Sequence, residues 1–408
     1  SSARFTTTVK PTITGPHVFK VRPDGTYKLW VNNELVVESD GKALSFDLLN
    51  ALTTSGKTHK LIAGKTYDVK LEYRRLEGNF TTVLGGLAGV QMSWASLTPP
   101  ADLAKYDAVV VAVGSSFEYE GESSDLKYEL PEYQADLIGK TAKANPNTIV
   151  VMHGGGGLNM QPWAKKVGAT LHAWFPGQQG GQALAEILYG KVNPSGKLPF
   201  TIDKRTEDNP SHPSYPDPKL YLGDNALTDM TYSEGIYLGY RGYNKKHAKP
   251  LYPFGFGLSY TTYSYSDLHL SSNVMTPGAT VDVKFTITNT GDKAGFEVAQ
   301  LYIQPVKPAV DRPIRELKGF TKVYLKPGES KVVSIPVDAR SLAYYVDNTA
   351  SWNVDAGKYK IRVGSSSQEL PLTQTLTTLY PEQLTTRDSN PLPTPLRKAV
   401  QVSAAQTY

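Results

Sequence analysis

The hydrophobic pattern changes character twice along this chain, and each change marks a different kind of layer. In the middle, Ala108–Val113 is a continuous apolar run closed by Gly114, and Thr148–Met152 is a second, ending in Gly154–Gly157. Runs of this kind suit strands covered on both faces, as in parallel sheets. Tyr133–Lys143 between them reads as a helix, Thr170–Phe175 as a short third strand, and Ala183–Leu188 as another helix. Strand–helix alternation predicts an α/β layered domain with a parallel sheet.

On either side the period drops to two. Tyr67, Val69, Leu71 and Tyr73 alternate with polar residues, as in a strand with one buried face. Further strands are expected at His17–Arg22, Tyr27–Val31, Leu35–Val37 and Val90–Trp94, with turns at Asp24-Gly25 and Asn32-Asn33 and a boundary at Pro99-Pro100. Beyond the Pro-rich stretch 210–218 and the aromatic stretch to Tyr260, short strands return at Val281–Thr288, Val298–Ile303 and Lys331–Val337, with Tyr359–Val363 expected as the last. Their spacing suggests an immunoglobulin-like sandwich. The fold class is therefore multidomain, α/β plus all-β, and no internal repeat is visible.

Composition narrows the partners. With 43 basic and 38 acidic side chains in 408 residues, a formal charge of +5 and no Lys/Arg block, nucleic acid is not expected as a partner. Zero cysteines exclude disulfides, thiolate metal sites and a cysteine nucleophile. No run of about 18 apolar residues exists, so no helical membrane span is expected. Ser1–Thr8 lacks the apolar core of a signal peptide; either one has been removed or the chain begins inside a longer precursor. The 25 Tyr against 12 Phe suit strand faces and sugar-facing clefts.

Ligands of α/β domains gather at the carboxyl ends of the strands. The loop after Ala108–Val113 carries Glu118, Glu120, Glu122 and Asp125. Crowded carboxylates repel, which favours keeping one protonated, the state a general acid needs; the other reading is a solvated acidic loop. The second loop, His153 with Gly154–Gly157, has neither a P-loop ending nor G-x-G-x-x-G spacing, so nucleotide binding is rejected and the glycines are read as permitting close backbone approach. His153 either touches a ligand or is satisfied by backbone. The seven histidines, at 17, 59, 153, 172, 212, 247 and 269, show no metal-ligand spacing, so no metal is expected. No Gly-x-Ser-x-Gly elbow supports a serine triad. Asn79-Phe-Thr81 is a glycosylation sequon that decides nothing by itself.

Three long segments carry a resemblance. Ala173–Pro199, Tyr232–Arg241 and Pro253–Tyr260 closely resemble hallmark segments of glycoside hydrolase family 3. The later all-β region resembles that family's fibronectin-III-like domain through Asn289-Thr-Gly291, Glu297–Tyr302, Glu316–Phe320 and Lys326–Glu329. Residues 1–95 look like the later strands of the protective-antigen-like sandwich inserted in some members. The resemblance thus implies an incomplete protective-antigen-like β-sandwich at 1–95, an α/β sandwich domain at 96–258 and a fibronectin-III-like domain at 259–375, while the prolines of 376–408 predict an extended tail that wraps on a neighbour.

The family's acid/base glutamate lies in a loop patterned Glu-Gly-x-Asp-Arg, six residues before a Leu-Pro. Asp125 stands six residues before Pro131 of Glu129-Leu-Pro131, which puts Glu122 at the acid/base position, with Glu120 as the alternate if the register slips by two. Ser123 replaces the glycine and Leu126 the arginine, leaving Asp125 without its usual partner, as a structural member of the loop. Tyr232 and Glu234 are read as packing and hydrogen-bonding residues. The family's nucleophile is an aspartate on an N-terminal (β/α)₈ barrel that fits nowhere in this sequence.

The resemblance therefore implies the acid/base part of a retaining, exo-acting β-glycosidase, most simply a β-glucosidase, with β-xyloside the next substrate, no cofactor, and a second polypeptide carrying the barrel. Activity is expected only with that chain, in a periplasmic or secreted hetero-oligomer. The rival is a non-catalytic carbohydrate-binding β-sandwich protein; a degenerate, inactive relative is a third reading.

Overall fold

The computed structural model describes residues 2–23, 25–39, 54–55, 59–75, 90–115, 120, 128–131, 133–214 and 231–384. Two compact units, Ser1–Gly181 and Gln182–Tyr408, divide the chain. The acidic residues Glu118, Glu122 and Asp125, the sequon at Asn79, the turn residue Asp24, the Pro-rich connection from 215 onward and the tail from 385 lie outside the described residues.

The first unit opens with strands β1 (Ser2–Val9), β2 (Gly15–Pro23), β3 (Gly25–Val31), β4 (Glu34–Ser39), β5 (Thr54–Ser55), β6 (His59–Leu61), β7 (Tyr67–Arg75) and β8 (Val90–Ser96). One sheet has the order β1-β7-β3-β4; in the other, β2 pairs with β5, β6 and β8. Antiparallel register sets Leu29 opposite Leu71 and Val31 opposite Val69. Their side chains meet Phe19, Val21 and Leu61 of the second sheet in one buried cluster, so the two sheets form a sandwich. The alternation read at Tyr67–Tyr73 is the alternation of that core. β1 was unforeseen: only Val9 of its eight residues is buried, and it is held along β7 by its backbone ladder.

The same unit contains β9 (Val109–Gly114), β10 (Thr148–His153) and β11 (Ala169–His172), paired in parallel in the order β11-β10-β9. The central β10 has Val150, Val151 and Met152 fully buried, as its continuous apolar run demands. β9 corrects the expectation made for it. Val111 and Val113 are buried, but Val110 is 48% exposed and Ala112 is exposed too, because among the described residues β9 is the edge strand with a single neighbour. Helix Gln134–Ala144 packs against β9 and β10 and buries Ile138 completely. β11 stops short of the expected Phe175: Ala173 makes the last backbone bond, to Met152, and Trp174 turns into the left-handed region at φ 56°. Helix Gly180–Leu188 starts three residues before the expected Ala183.

The second unit carries helix Gly239–Lys245 and then the strands β12 (Tyr263–Leu270), β13 (Val274–Met275), β14 (Val281–Asn289), β15 (Gly295–Val306), β16 (Glu316–Leu325), β17 (Ser330–Val337), β18 (Tyr344–Val346), β19 (Ser351–Val354), β20 (Gly357–Gly364), β21 (Leu372–Thr378) and β22 (Glu382–Leu384). Sheets β12-β14-β17 and β13-β21-β20-β15-β16 enclose one core that includes Val283, Phe285, Ile287, Leu301, Ile361 and Leu376. Tyr359–Val363 is thus not the last strand. β21 completes the sheet beside it, and β22 pairs with β19, so the chain to 384 is ordered strand where an extended tail was expected from 376. The turn Asn289-Thr-Gly291 has a physical basis: Asn289 is fully buried, with its amide donating to Lys293 O and Leu325 O and its oxygen accepting from Thr261 and Gly291.

Ile361→Ala, in the middle of this core, should destabilise the chain by about 2–5 kcal/mol, read as a lowered denaturation midpoint by chemical unfolding. A midpoint unchanged from wild type would contradict the placement of β20 between β15 and β21.

Candidate active site

Strands β9 and β10 end side by side, with Gly114 opposite His153. A Cβ on Gly114 would stand 1.9 Å from His153 O, and its φ is 152°, so only glycine fits. Gln134, at the start of the helix behind the sheet, grips the same residue twice: its Nε2 donates to Gly114 O at 2.9 Å, and its Oε1 accepts from Gly114 N at 2.8 Å. One side-chain amide thus closes the backbone groups that a neighbouring strand would otherwise pair.

From this point the acidic loop leaves β9. Ser115 donates its backbone N–H to His153 O at 3.0 Å, and its hydroxyl donates to Glu120 Oε2 at 2.5 Å. The other carboxylate oxygen, Oε1, accepts from Gly155 N at 2.9 Å, with Oε2 at 3.2 Å from the same nitrogen. A Cβ on Gly155 would stand 2.3 Å from Oε1. The glycines after β10 therefore permit close approach, as expected, but what approaches is a side chain of the neighbouring loop. Where the loop returns, Asn159 fastens it again. Its N–H donates to Tyr128 O at 2.7 Å, and its Nδ2 donates to the Glu129 carboxylate at 2.8 and 3.0 Å. Of the carboxylates read in the sequence, Glu120 is thus placed beside the glycine segment, whereas Glu122 and Asp125 lie outside the described residues.

His153 ends β10, and its carbonyl serves the Ser115 N–H. His172 at the end of β11 was passed over in the sequence, where no spacing marked it. Its ring stacks on Trp174 with centroids 4.0 Å apart, and Nε2 lies 3.2 Å from Gly156 O. Burial pushes the His172 pKa down; the Gly156 carbonyl opposes this, nearby His153 adds to it, and Glu120 opposes it. The end of the sheet therefore brings a half-buried imidazole, packed against an indole ring, near the Glu120 carboxylate.

Tyr232 and Glu234 lie in the second unit. Tyr232 is 69% exposed and so is not a packing residue in the described chain. Glu234 accepts a short hydrogen bond from the Ser214 hydroxyl, in line with the hydrogen-bonding role read for it. It borders an open cavity of about 500 Å³ with Tyr237, Lys245 and Asp311. There Tyr237 donates to Asp311 at 2.5 Å and Lys245 to Asp311 at 3.0 Å; together they hold that carboxyl below its usual range. Lys245 and Asp311 in this cavity are thus paired with each other. Ser115, Gln134 and Asn159 were missed by sequence reading; no periodicity or spacing announces them, because their role depends on two loops meeting.

Comparison with known proteins gives concordant matches. The Glycosyl hydrolase family 3 C-terminal domain matches residues 34–260, and the Fibronectin type III-like domain matches residues 297–367. Among curated proteins, a probable beta-glucosidase I of Aspergillus clavatus is 37% identical over 376 residues, 87% of this chain and 44% of that protein. A beta-glucosidase of Rhizobium radiobacter is 36% identical over 378 residues, 90% of this chain and 45% of that protein. Among solved structures, the beta-glucosidase of Kluyveromyces marxianus in complex with glucose superimposes with a TM-score of 0.69 at 30% identity, covering 94% of this chain and 45% of that one. Beta-glucosidase 3B of Thermotoga neapolitana gives 0.61 at 35% identity, over 69% of this chain. The chain spans less than half the length of the curated relatives it matches.

The depressed pKa of His172 has a sign that can be checked. A folded value below the unfolded one, about 6.5, means that the unfolded chain binds more protons in this range. His172 then contributes stability above pH 6.5 that fades as pH falls toward the folded value. Chemical denaturation at pH 7.5 and pH 5 should show a larger loss for wild type than for His172→Gln; equal losses would contradict the burial of a neutral imidazole.

Proposed function

Because the chain belongs to glycosyl hydrolase family 3, we propose that it is the acid/base-bearing part of a retaining, exo-acting β-glucosidase, with Glu122 as the acid/base. The beta-glucosidases it matches at 36–37% identity support the reaction class. One observation carries the placement of the chemistry: the acidic loop is fastened at Glu120 and again at Glu129 to the segment following β10. Both ties lie at the carboxyl end of the parallel sheet, where α/β domains bind ligands.

In the first step of the proposed reaction an aspartate attacks the anomeric carbon. The bond to the leaving oxygen breaks with its electron pair, and Glu122 gives that oxygen its proton. In the second step the Glu122 carboxylate takes a proton from water, which attacks the anomeric carbon and releases the aspartate. The two carboxyl groups of a retaining pair stand about 5–5.5 Å apart. We place the aspartate on a barrel domain in a second polypeptide. The substrate is then a β-glucoside whose terminal glucose enters a site completed by that barrel.

Glu122→Gln in the assembled enzyme should cut turnover by about 10²–10⁴-fold on glucosides with poor leaving groups. Activated aryl glucosides, which need little protonation, should lose much less. Equal losses on the two substrates overturn the acid role, and retained sugar affinity with no turnover in the wild type would favour a binding module. Native mass spectrometry should show a second chain of barrel size in equal copies; a lone 44.6 kDa species overturns the two-chain arrangement.

A further inference from the structure

Glu120 sits two residues before Glu122, and both of its carboxylate oxygens accept hydrogen bonds from the protein. Oε2 takes the Ser115 hydroxyl at 2.5 Å, and Oε1 takes the Gly155 N–H at 2.9 Å. The contact is built for a carboxylate without room to spare. A methyl on Gly155 would stand 2.3 Å from Oε1, and one on Gly154 would stand 3.1 Å from the Ser115 hydroxyl. Ser115 is itself held by His153 O, and Gly114 before it by Gln134. An unbroken chain of contacts thus runs from the paired ends of β9 and β10 to the Glu120 side chain.

We infer that Glu120 is a positioning residue for the acid/base: it clamps the acidic loop to the glycine segment after β10 at a point two residues before Glu122 in the chain. The inference rests on the reading of Glu122 as the acid/base. Covalent geometry supplies the link, because two residues of chain reach at most about 7 Å. The requirement is strict: a displacement of about 1 Å at a catalytic group is enough to lose roughly 100-fold in rate. A loop supplies little rigidity by itself, so a general acid carried on one needs an outside support. Charge-assisted bonds from a hydroxyl and a backbone N–H are stronger than neutral ones and suit that task. Glu129 and Asn159 hold the loop where it returns, but Glu129 stands seven residues beyond Glu122 and constrains it far less. A carboxylate engaged on both oxygens by fixed donors is a poor candidate for shuttling a proton to substrate, which separates the two glutamates by role.

Glutamine tests this, because it keeps the shape while removing the acid. In Glu120→Gln the amide oxygen accepts from Gly155 N–H, and the amide nitrogen donates to the Ser115 oxygen. Glu120→Ala makes neither bond, and Gly155→Ala pushes a methyl into the Oε1 position. In the assembled enzyme, Glu120→Ala and Gly155→Ala should each lose roughly 100-fold in kcat on a poor leaving group, with KM changed much less. Glu120→Gln should recover most of the Glu120→Ala loss and keep the wild-type basic limb of the pH–rate profile. Melting temperatures of all variants show which of them fold. Three results overturn the inference. In the first, Glu120→Gln is as impaired as Glu120→Ala and azide rescues both on an aryl glucoside, which makes Glu120 itself the acid/base. In the second, Glu120→Ala melts earlier but turns over like wild type. In the third, Glu122→Gln behaves like wild type. The first and third results remove the reading beneath the clamp as well; the second leaves that reading to be judged on Glu122→Gln alone.

Discussion

Everything at the carboxyl end of the parallel sheet depends on how closely β9 and β10 can end together. Parallel pairing brings Gly114 opposite His153, and the carbonyl of His153 occupies the space a side chain on Gly114 would need. Two loops then leave the sheet from one place. One is rich in carboxylates and the other in glycine, and they fit because each lacks what the other brings. The acidic loop supplies acceptors, whereas the glycine segment supplies a bare N–H and the room to reach it. A bulkier residue at either sheet end would separate the loops.

The fold was legible wherever side chains pack with a period. Tyr67–Tyr73, Val281–Asn289 and the two apolar runs of the parallel sheet became strands because burial and alternation are the same fact seen in sequence and in space. Legibility failed where a strand's side chains alternate weakly or bury little. β1 shows a nearly unbroken polar exterior, and β21 alternates threonine with leucine and glutamine too weakly to stand out. The half-exposed face of β9 escaped for another reason: an apolar run reports what a strand could bury, and a neighbour decides how much of it is buried. The site divides likewise. The carboxylate cluster and the glycine loop were visible as composition, but the pairing of Glu120 with Gly155 across 35 residues was not. Gln134 and Asn159 left no trace, since an amide that serves as a clamp looks like any surface amide.

The resemblance read from the segments at 173–199, 232–241 and 253–260 agrees with the family match over residues 34–260, and the β-sandwich beyond agrees with the match over 297–367. Those segments were informative for a structural reason. They are dense in glycines and aromatic residues, and rings of two segments meet, Tyr240 of the second lying 4.9 Å from Phe254 of the third. Rings packed on one another tolerate few replacements, which keeps such segments recognisable.

β1 illustrates the opposite regime. Its ladder with β7 is made of N–H and C=O groups that every residue but proline possesses in full, and its side chains from Ser2 to Thr8 bury little. The strand therefore constrains length and the exclusion of proline, and very little else. Substitutions there are close to silent, so the segment is free to carry whatever surface chemistry a lineage finds useful while the architecture stays the same.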